Sequence, residues 1–142
     1  MARPWISTNL AISADGKISS VEKIPAKWTS EADHQRLHAL RKDADALMVG
    51  RATWQKDRMT MGAPGNPLRC IVSRSGGLDA SHPIFSEPGG AIHLLVTGNP
   101  EATAPEGVTV HHGDLTTFLD ELATRWHVKH LHCEGGGELI RS

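Results

Sequence analysis

Three short stretches place glycine, hydroxyl and charged residues directly after apolar runs, an arrangement suited to an anionic ligand. In Val49-Gly50-Arg51-Ala52-Thr53-Trp54 the glycine permits a tight turn and the following residues can open a helix. Free N–H groups and the positive end of the helix dipole would then favour a phosphate, assisted by the Arg51 charge and the Thr53 hydroxyl. In Ile71-Val72-Ser73-Arg74-Ser75-Gly76-Gly77 a guanidinium stands between two hydroxyls. That chemistry suits a phosphomonoester such as the 2′-phosphate that separates NADPH from NADH. In Cys133-Glu134-Gly135-Gly136-Gly137-Glu138-Leu139 three consecutive glycines let backbone N–H groups approach a pyrophosphate closely. Taken singly, each stretch is as readily an ordinary turn at the end of a strand. None is a G-x-G-x-x-G fingerprint, and no G-x-x-x-x-G-K-[ST] loop is present.

The elements that must carry these turns are legible in the hydrophobic pattern. Residues 5–13 alternate apolar and polar side chains, which predicts a strand, and Asp15-Gly16 follows as a turn. Ser30 is placed to cap a helix, with Asp33 three residues on and Leu37, Leu40, Arg41 and Ala44 at helical spacing; that helix should end near Asp43. Residues 46–49, 69–72 and 92–96 are short apolar runs that suit strands buried on both faces. Asp114 should cap the clearest helix, whose stripe is Leu115, Phe118, Leu119, Leu122, Ala123 and Trp126. A last short strand, 130–133, leads straight into the three glycines. Strands alternating with helices predict an α/β fold with a largely parallel sheet covered on both faces, whose ligands bind at the carboxyl ends of the strands. The three turns should therefore converge.

Composition fits this reading. The 142 residues suffice for one domain, 1–142, and the 39% hydrophobic and 22% charged fractions are ordinary for a folded chain. The formal charge of −1 recruits neither nucleic acid nor an anionic membrane. The charge is uneven: residues 1–71 carry 11 basic and 7 acidic groups, residues 72–142 carry 4 and 9, so an anionic small molecule is sought on the first half. No apolar run is long enough to span a bilayer and the opening residues form no apolar signal segment, which predicts a cytoplasmic protein. Cys70 and Cys133, inside apolar runs, are expected as buried reduced thiols.

The three turns, in this order and spacing, resemble the cofactor-binding elements of the dihydrofolate reductase superfamily, Gly50-Arg51-Ala52-Thr53-Trp54 most specifically. Within it, the opening Asn9-Leu-Ala-Ile-Ser-Ala-Asp-Gly-Lys-Ile18, then Trp28-Thr-Ser30 and Leu40-Arg41, is similar to the riboflavin-pathway pyrimidine reductases, the reductase domain of the bifunctional deaminase-reductase. The resemblance implies a three-layer α/β domain with a mostly parallel central sheet. It implies NADPH as hydride donor to a ribosylamino-pyrimidine 5′-phosphate, of the 5-amino-6-(5-phosphoribosylamino)uracil type, whose ribosyl group becomes ribityl. By matching position, Ala11, Trp28, Gly50, Arg51, Thr53, Asp57, Ser73 and Arg74 would contact the cofactor. The stretch 136–142, with Gly135, Gly136, Gly137, Glu138 and Leu139 at its start, would join them. Arg41, Met59 and Glu134 would face the substrate, and Asp57 would sit at the reacting carbon as the catalytic residue. Three departures bear on the substrate side: Ala26 replaces a serine, the segment 57–62 is shortened, and Gly62 stands where an arginine grips the substrate phosphate, leaving Arg58 as the substitute on offer. The resemblance also implies a homodimer. It implies a further helix and strands beyond the glycines, so that the domain reads as truncated at Ser142, with a sheet edge left to a partner.

Rival chemistries have thinner support. A pterin ring, as in folate reduction, would need a carboxylate on the first helix, and Glu31 and Asp33 serve equally well as first-turn acids complementing the dipole. His34 and His38, or His130 and His132, could each supply two ligands to a metal. Hydride transfer from a nicotinamide needs no metal, however, and structural histidines are the expected reading. A non-catalytic nucleotide-binding module would account for the missing substrate arginine. Only six aromatic side chains are available for stacking on nucleic acid.

Overall fold

The computed structural model describes residues 2–12, 14–17 and 30–142. The buried runs form strands and pair side by side: β1 (Trp5–Thr8), β2 (Ala46–Gly50), β3 (Leu68–Ser73), β4 (Ile92–Val96), β5 (Val108–His112) and β6 (His130–Cys133). They make one six-stranded sheet in the order β1-β6-β2-β3-β4-β5, and every pairing is parallel. The expected α/β architecture with a largely parallel sheet is what the chain adopts.

Helices α1 (Glu31–Asp43), α2 (Arg51–Lys56), α3 (Leu115–Thr124) and α4 (Gly137–Arg141) fill the connections. Two caps expected from the sequence are made: the Ser30 hydroxyl accepts from the Asp33 amide at 3.2 Å, and the Asp114 carboxylate from the Thr117 amide at 2.7 Å. On one face of the sheet Phe118, Leu119 and Leu122 of α3 pack on Met48, Cys70, Leu95 and Leu131. On the other, Trp54 of α2 and Ile84 of a 3₁₀ turn pack on Leu47, Val49, Ile71 and Leu94. Trp126 lies past the end of α3 and packs only partly. Both cysteines are buried free thiols, and burial pushes Cys70 up to about 12.

Two strand expectations needed correction. The first strand ends at Thr8 rather than running on to residue 13, because its partner β6 is only four residues long and Thr8 pairs with the last of them, Cys133. Beyond that register the chain has no ladder to join. β5, unassigned in the sequence, adds to β4 at the far edge. Its half-exposed residues give a weak apolar signal.

His82, His93 and His132 are buried and His111 is half-buried, and burial lowers the pKa of each of these four rings. His93 is driven down to about 4, first by burial and then by His111, which faces it at 3.0 Å. Between pH 6.5 and about 4 the unfolded chain binds a proton that the folded His93 refuses. Stability is therefore full above pH 6.5 and is lost as the pH falls towards 4. His93 alone should remove about 3 kcal/mol over that window. Thermal melts across it should show a falling Tm, with part of the slope abolished in His93→Gln; a Tm independent of pH there would contradict this account.

Candidate active site

The carboxyl ends of three adjacent strands, β1, β6 and β2, open onto a cleft of about 360 Å³. Asn9 and Ala11 reach it from the segment after β1, His132 and Glu134 from the end of β6, and Thr53, Asp57 and Met59 from α2 and the turn beyond it. Asp33, Leu37 and Arg41, at i, i+4 and i+8 of α1, supply the fourth wall. The location follows from topology, since β6 comes last in sequence yet inserts between β1 and β2. Ligands of open α/β sheets bind where strand order reverses in this manner.

Convergence of the three turns is achieved through the backbone. The Gly50 amide donates to the Gly135 carbonyl at 2.8 Å, and the Glu134 amide to the Met48 carbonyl at 2.8 Å, tying the glycine turn to the end of β2. The Arg51 guanidinium donates from Nε and Nη2 to the Gly77 carbonyl, both at 3.2 Å, which fastens the third turn alongside. A Cβ on Gly136 would lie 2.8 Å from Thr53 Oγ1 and would force the Thr53 side chain to turn away, so in this structure bare backbone faces the Thr53 hydroxyl. Gly135 has φ +100°, open to glycine and strained for other residues.

The strongest electrostatic feature is a pair at the cleft. Arg41 Nε donates to Glu134 Oε1, with side chains 20% and 4% exposed. Glu134 Oε2 is buried without a hydrogen-bond partner, and so is His132 Nε2. Buried polar atoms of native proteins are almost always paired, so two orphans at one cleft mark the places where a ligand's own groups belong. Asp57 closes α2 at its C-terminal end and stands exposed at the rim. Asp33 accepts from Asn9 Nδ2 at 3.0 Å.

Among the residues expected from the sequence, the cleft brings together Ala11, Arg41, Thr53, Asp57, Met59 and Glu134. Gly50, Arg51, Gly135 and Gly136 flank it through the contacts just given. Ser73 and Arg74 lie one strand further along, at the end of β3. The buried Ser73 hydroxyl donates to the Gly76 carbonyl and accepts from the Gly76 amide, both at 3.0 Å, so it builds the turn, while Arg74 is exposed. Gly137, Glu138 and Leu139 open α4, where Glu138 is exposed and Leu139 packs against the core. Trp28 and Ala26 lie outside the described residues.

Of four further cleft residues, two had no functional reading in the sequence, and Asp33 and His132 had one only under the rival pterin and metal chemistries. Asn9 and Leu37 carry no signal of their own. Asp33 is read equally well as a helix-dipole acid; it stands in the first turn of α1, with its amide bonded to the Ser30 cap, and also lines the cleft. His132 is hidden inside an apolar run, although its i, i+2 relation to His130 gives both rings to the same face, where each bonds Ser7 Oγ. Among the described residues no group of His, Cys, Asp and Glu could hold a metal ion, and no helix is long and apolar enough to cross a membrane.

A parallel α/β sheet whose strand ends bear a glycine turn, an Arg–Glu pair and unpartnered buried polar atoms defines a class of protein whose cleft, at the topological switch point, suits a polar small molecule. The chain belongs to the RibD C-terminal domain family, which matches residues 4–142. It is 29% identical to a 2,5-diamino-6-ribosylamino-4(3H)-pyrimidinone 5′-phosphate reductase of Archaeoglobus fulgidus, covering 99% of this chain and 74% of that one. A reductase of the same name from Methanothermobacter thermautotrophicus is 30% identical, over 96% and 69% of the two chains. Among solved structures, the deaminase/5-amino-6-(5-phosphoribosylamino)uracil reductase of Thermotoga maritima superposes with a TM-score of 0.83 at 25% identity. The chain covers only 40% of that larger protein, and 97% of its own length is matched.

Proposed function

We propose that the chain is an NADPH-dependent reductase of a ribosylamino-pyrimidine 5′-phosphate in riboflavin biosynthesis, a cytoplasmic enzyme working as a homodimer. The observation that carries this reading is the Arg41–Glu134 pair at the cleft, with one carboxylate oxygen left for a ligand. Two relatives named as pyrimidinone phosphate reductases support it. For the dimer, support comes from β1, whose outer edge is unpaired among the described residues, with Trp5 65% and Ile6 44% exposed.

A dinucleotide cofactor fits the residues present, because the Gly136 backbone, bare of side chain and facing Thr53 Oγ1, lets a pyrophosphate approach main-chain N–H groups and a hydroxyl together. Gly50, Thr53 and the turn at Gly135, Gly136 and Gly137 would hold it, with Arg51 bracing the neighbouring Gly77 turn and Arg74 offering a cation to a 2′-phosphate. When bound, NADPH supplies the hydride. The chain's own work is positional: Glu134, with Arg41 holding its orientation, fixes the heterocycle, and Met59 bounds the pocket. Asp57, at the rim, orients the sugar or relays a proton to solvent.

The test is the loss of NADPH absorbance with the ribosylamino-pyrimidine phosphates as acceptors. Turnover supports the assignment, and binding without turnover favours a nucleotide-binding module. Dihydrofolate belongs in the same screen, since Asp33 does line the cleft and could hold a pterin ring. Asp57→Asn should lower kcat about tenfold or more while leaving NADPH affinity within about twofold. Arg74→Ala should weaken NADPH binding about tenfold with NADH little changed, because only the former offers a 2′-phosphate to the guanidinium. Equal losses for both cofactors would remove Arg74 from the site.

A further inference from the structure

His132 is wholly buried, lines the cleft, and has a ring nitrogen, Nε2, with no partner. Its other nitrogen belongs to a chain of hydrogen bonds whose far end fixes the direction of every member. His130 Nδ1 lies 3.1 Å from the Asp43 carbonyl, which can only accept. His130 Nδ1 must therefore carry the proton, and in a neutral ring Nε2 is then an acceptor. Ser7 Oγ lies 2.7 Å from that Nε2 and must donate to it. The same oxygen is 2.9 Å from His132 Nδ1, from which it is left to accept. With both rings neutral, one proton arrangement satisfies all three bonds. It leaves His132 Nε2 as a bare lone pair. Burial, the largest influence on this ring, favours its neutral form.

Glu134 Oε2 is the second buried orphan at the cleft, and a carboxylate oxygen whose twin is held by Arg41 is likewise an acceptor. Two acceptors require a ligand edge with two donors. We propose that His132 is a substrate-reading residue that accepts a hydrogen bond from the 2-amino group of a 2-aminopyrimidin-4-one, while Glu134 accepts from the adjacent ring N–H. The cleft thereby distinguishes that ring from the corresponding uracil, whose C2 oxygen would turn a lone pair towards an acceptor. Ser7 and His130 are positioning residues that hold the tautomer. The inference deepens the pyrimidine-reductase reading and rests on it.

The experiment compares binding of 2,5,6-triaminopyrimidin-4-one and 5,6-diaminouracil, which differ in the C2 group and the accompanying N1 proton, by calorimetric titration with and without NADPH. The amino ring should bind about tenfold or more tightly, the worth of one well-made buried hydrogen bond against an unmade one. In Ser7→Ala and His132→Leu that ratio should fall to near unity. Equal binding, or preference for the uracil, in the unaltered protein overturns the role of His132 while leaving the pyrimidine reading intact; binding of neither base counts against both. An independent readout needs no variant and no ligand: ¹⁵N NMR of the folded protein should show His132 protonated at Nδ1 and bare at Nε2. The opposite tautomer would overturn the proposal.

Discussion

Glu134→Ala should lose about 100-fold or more in kcat/KM for the pyrimidine substrate and about 2–3 kcal/mol of stability. Both losses have one origin. The carboxylate is 4% exposed and is the ionic partner of Arg41, itself only 20% exposed, so removing it strands a guanidinium in a low-dielectric wall. Breaking a buried pair by deleting one member costs about 3–5 kcal/mol, and the partial exposure of Arg41 reduces the figure. The functional loss is larger because Glu134 also offers its free oxygen to the ligand and shares the cleft with His132. Glu134→Gln separates the contributions. An amide keeps an oxygen for Arg41 and should recover most of the stability, yet presents no carboxylate to the substrate. Melting curves and steady-state kinetics on the two variants check this, and full activity in the glutamine variant would show that shape, rather than charge, is what the cleft uses.

Arg69→Met should destabilise the fold by about 3–5 kcal/mol, a large share of the margin of a small domain. Arg69 begins its strand buried, 5% exposed, with no carboxylate partner among the described ion pairs. Its charge is solvated by backbone carbonyls instead: Nε donates to Gly90 at 2.7 Å, and Nη1 reaches Thr60 at 3.1 Å, Ile84 at 3.4 Å and Glu87 at 3.5 Å. Methionine would fill much of the volume and leave those carbonyls buried without a donor. The carbonyl-bearing turn is closely packed on the preceding strand connection, since a Cβ on Gly90 would meet the Pro67 carbonyl at 1.9 Å. Arg69→Lys keeps the charge but lacks the planar fork, and should recover only part of the loss. Urea titration should show a lower midpoint at an unchanged slope; a shift of less than about 1 kcal/mol would mean the carbonyls find other donors. Activity should fall too, because the Thr60 carbonyl anchors the segment that carries Asp57 and Met59 to the cleft.

Local signals in the sequence proved sufficient for α1 and α3, while α4, read only as a glycine turn, was not found. Ser30 and Asp114 are caps whose partners lie three residues away, and the stripe of α3 is a repeat over a few turns. Such information is short-range, so one sequence suffices to read it. Strand limits were less legible. The alternation after Trp5 continues past Thr8, but a strand lasts only as long as its neighbour, and β6 offers four residues. Ser73 shows the same limit for function. A hydroxyl beside an arginine suits a phosphate, yet in the folded chain it closes a turn on Gly76.

By itself the sequence determined where chemistry could reside: three turns after apolar runs, and Arg41, Asp57, Met59 and Glu134 through their likeness to known reductases. What only the tertiary structure decided is which of those residues share a surface. β6, last in the chain, pairs with both β1 and β2. That pairing places Arg41 against Glu134 across 93 residues, and Ser7 between His130 and His132 across 123 and 125. Strand order is set by the burial of whole elements, in which the chemistry-bearing side chains take little part, so no local pattern announces it. The orphaned acceptors of His132 and Glu134 are the product of that assembly, being polar groups desolvated by neighbours distant in sequence.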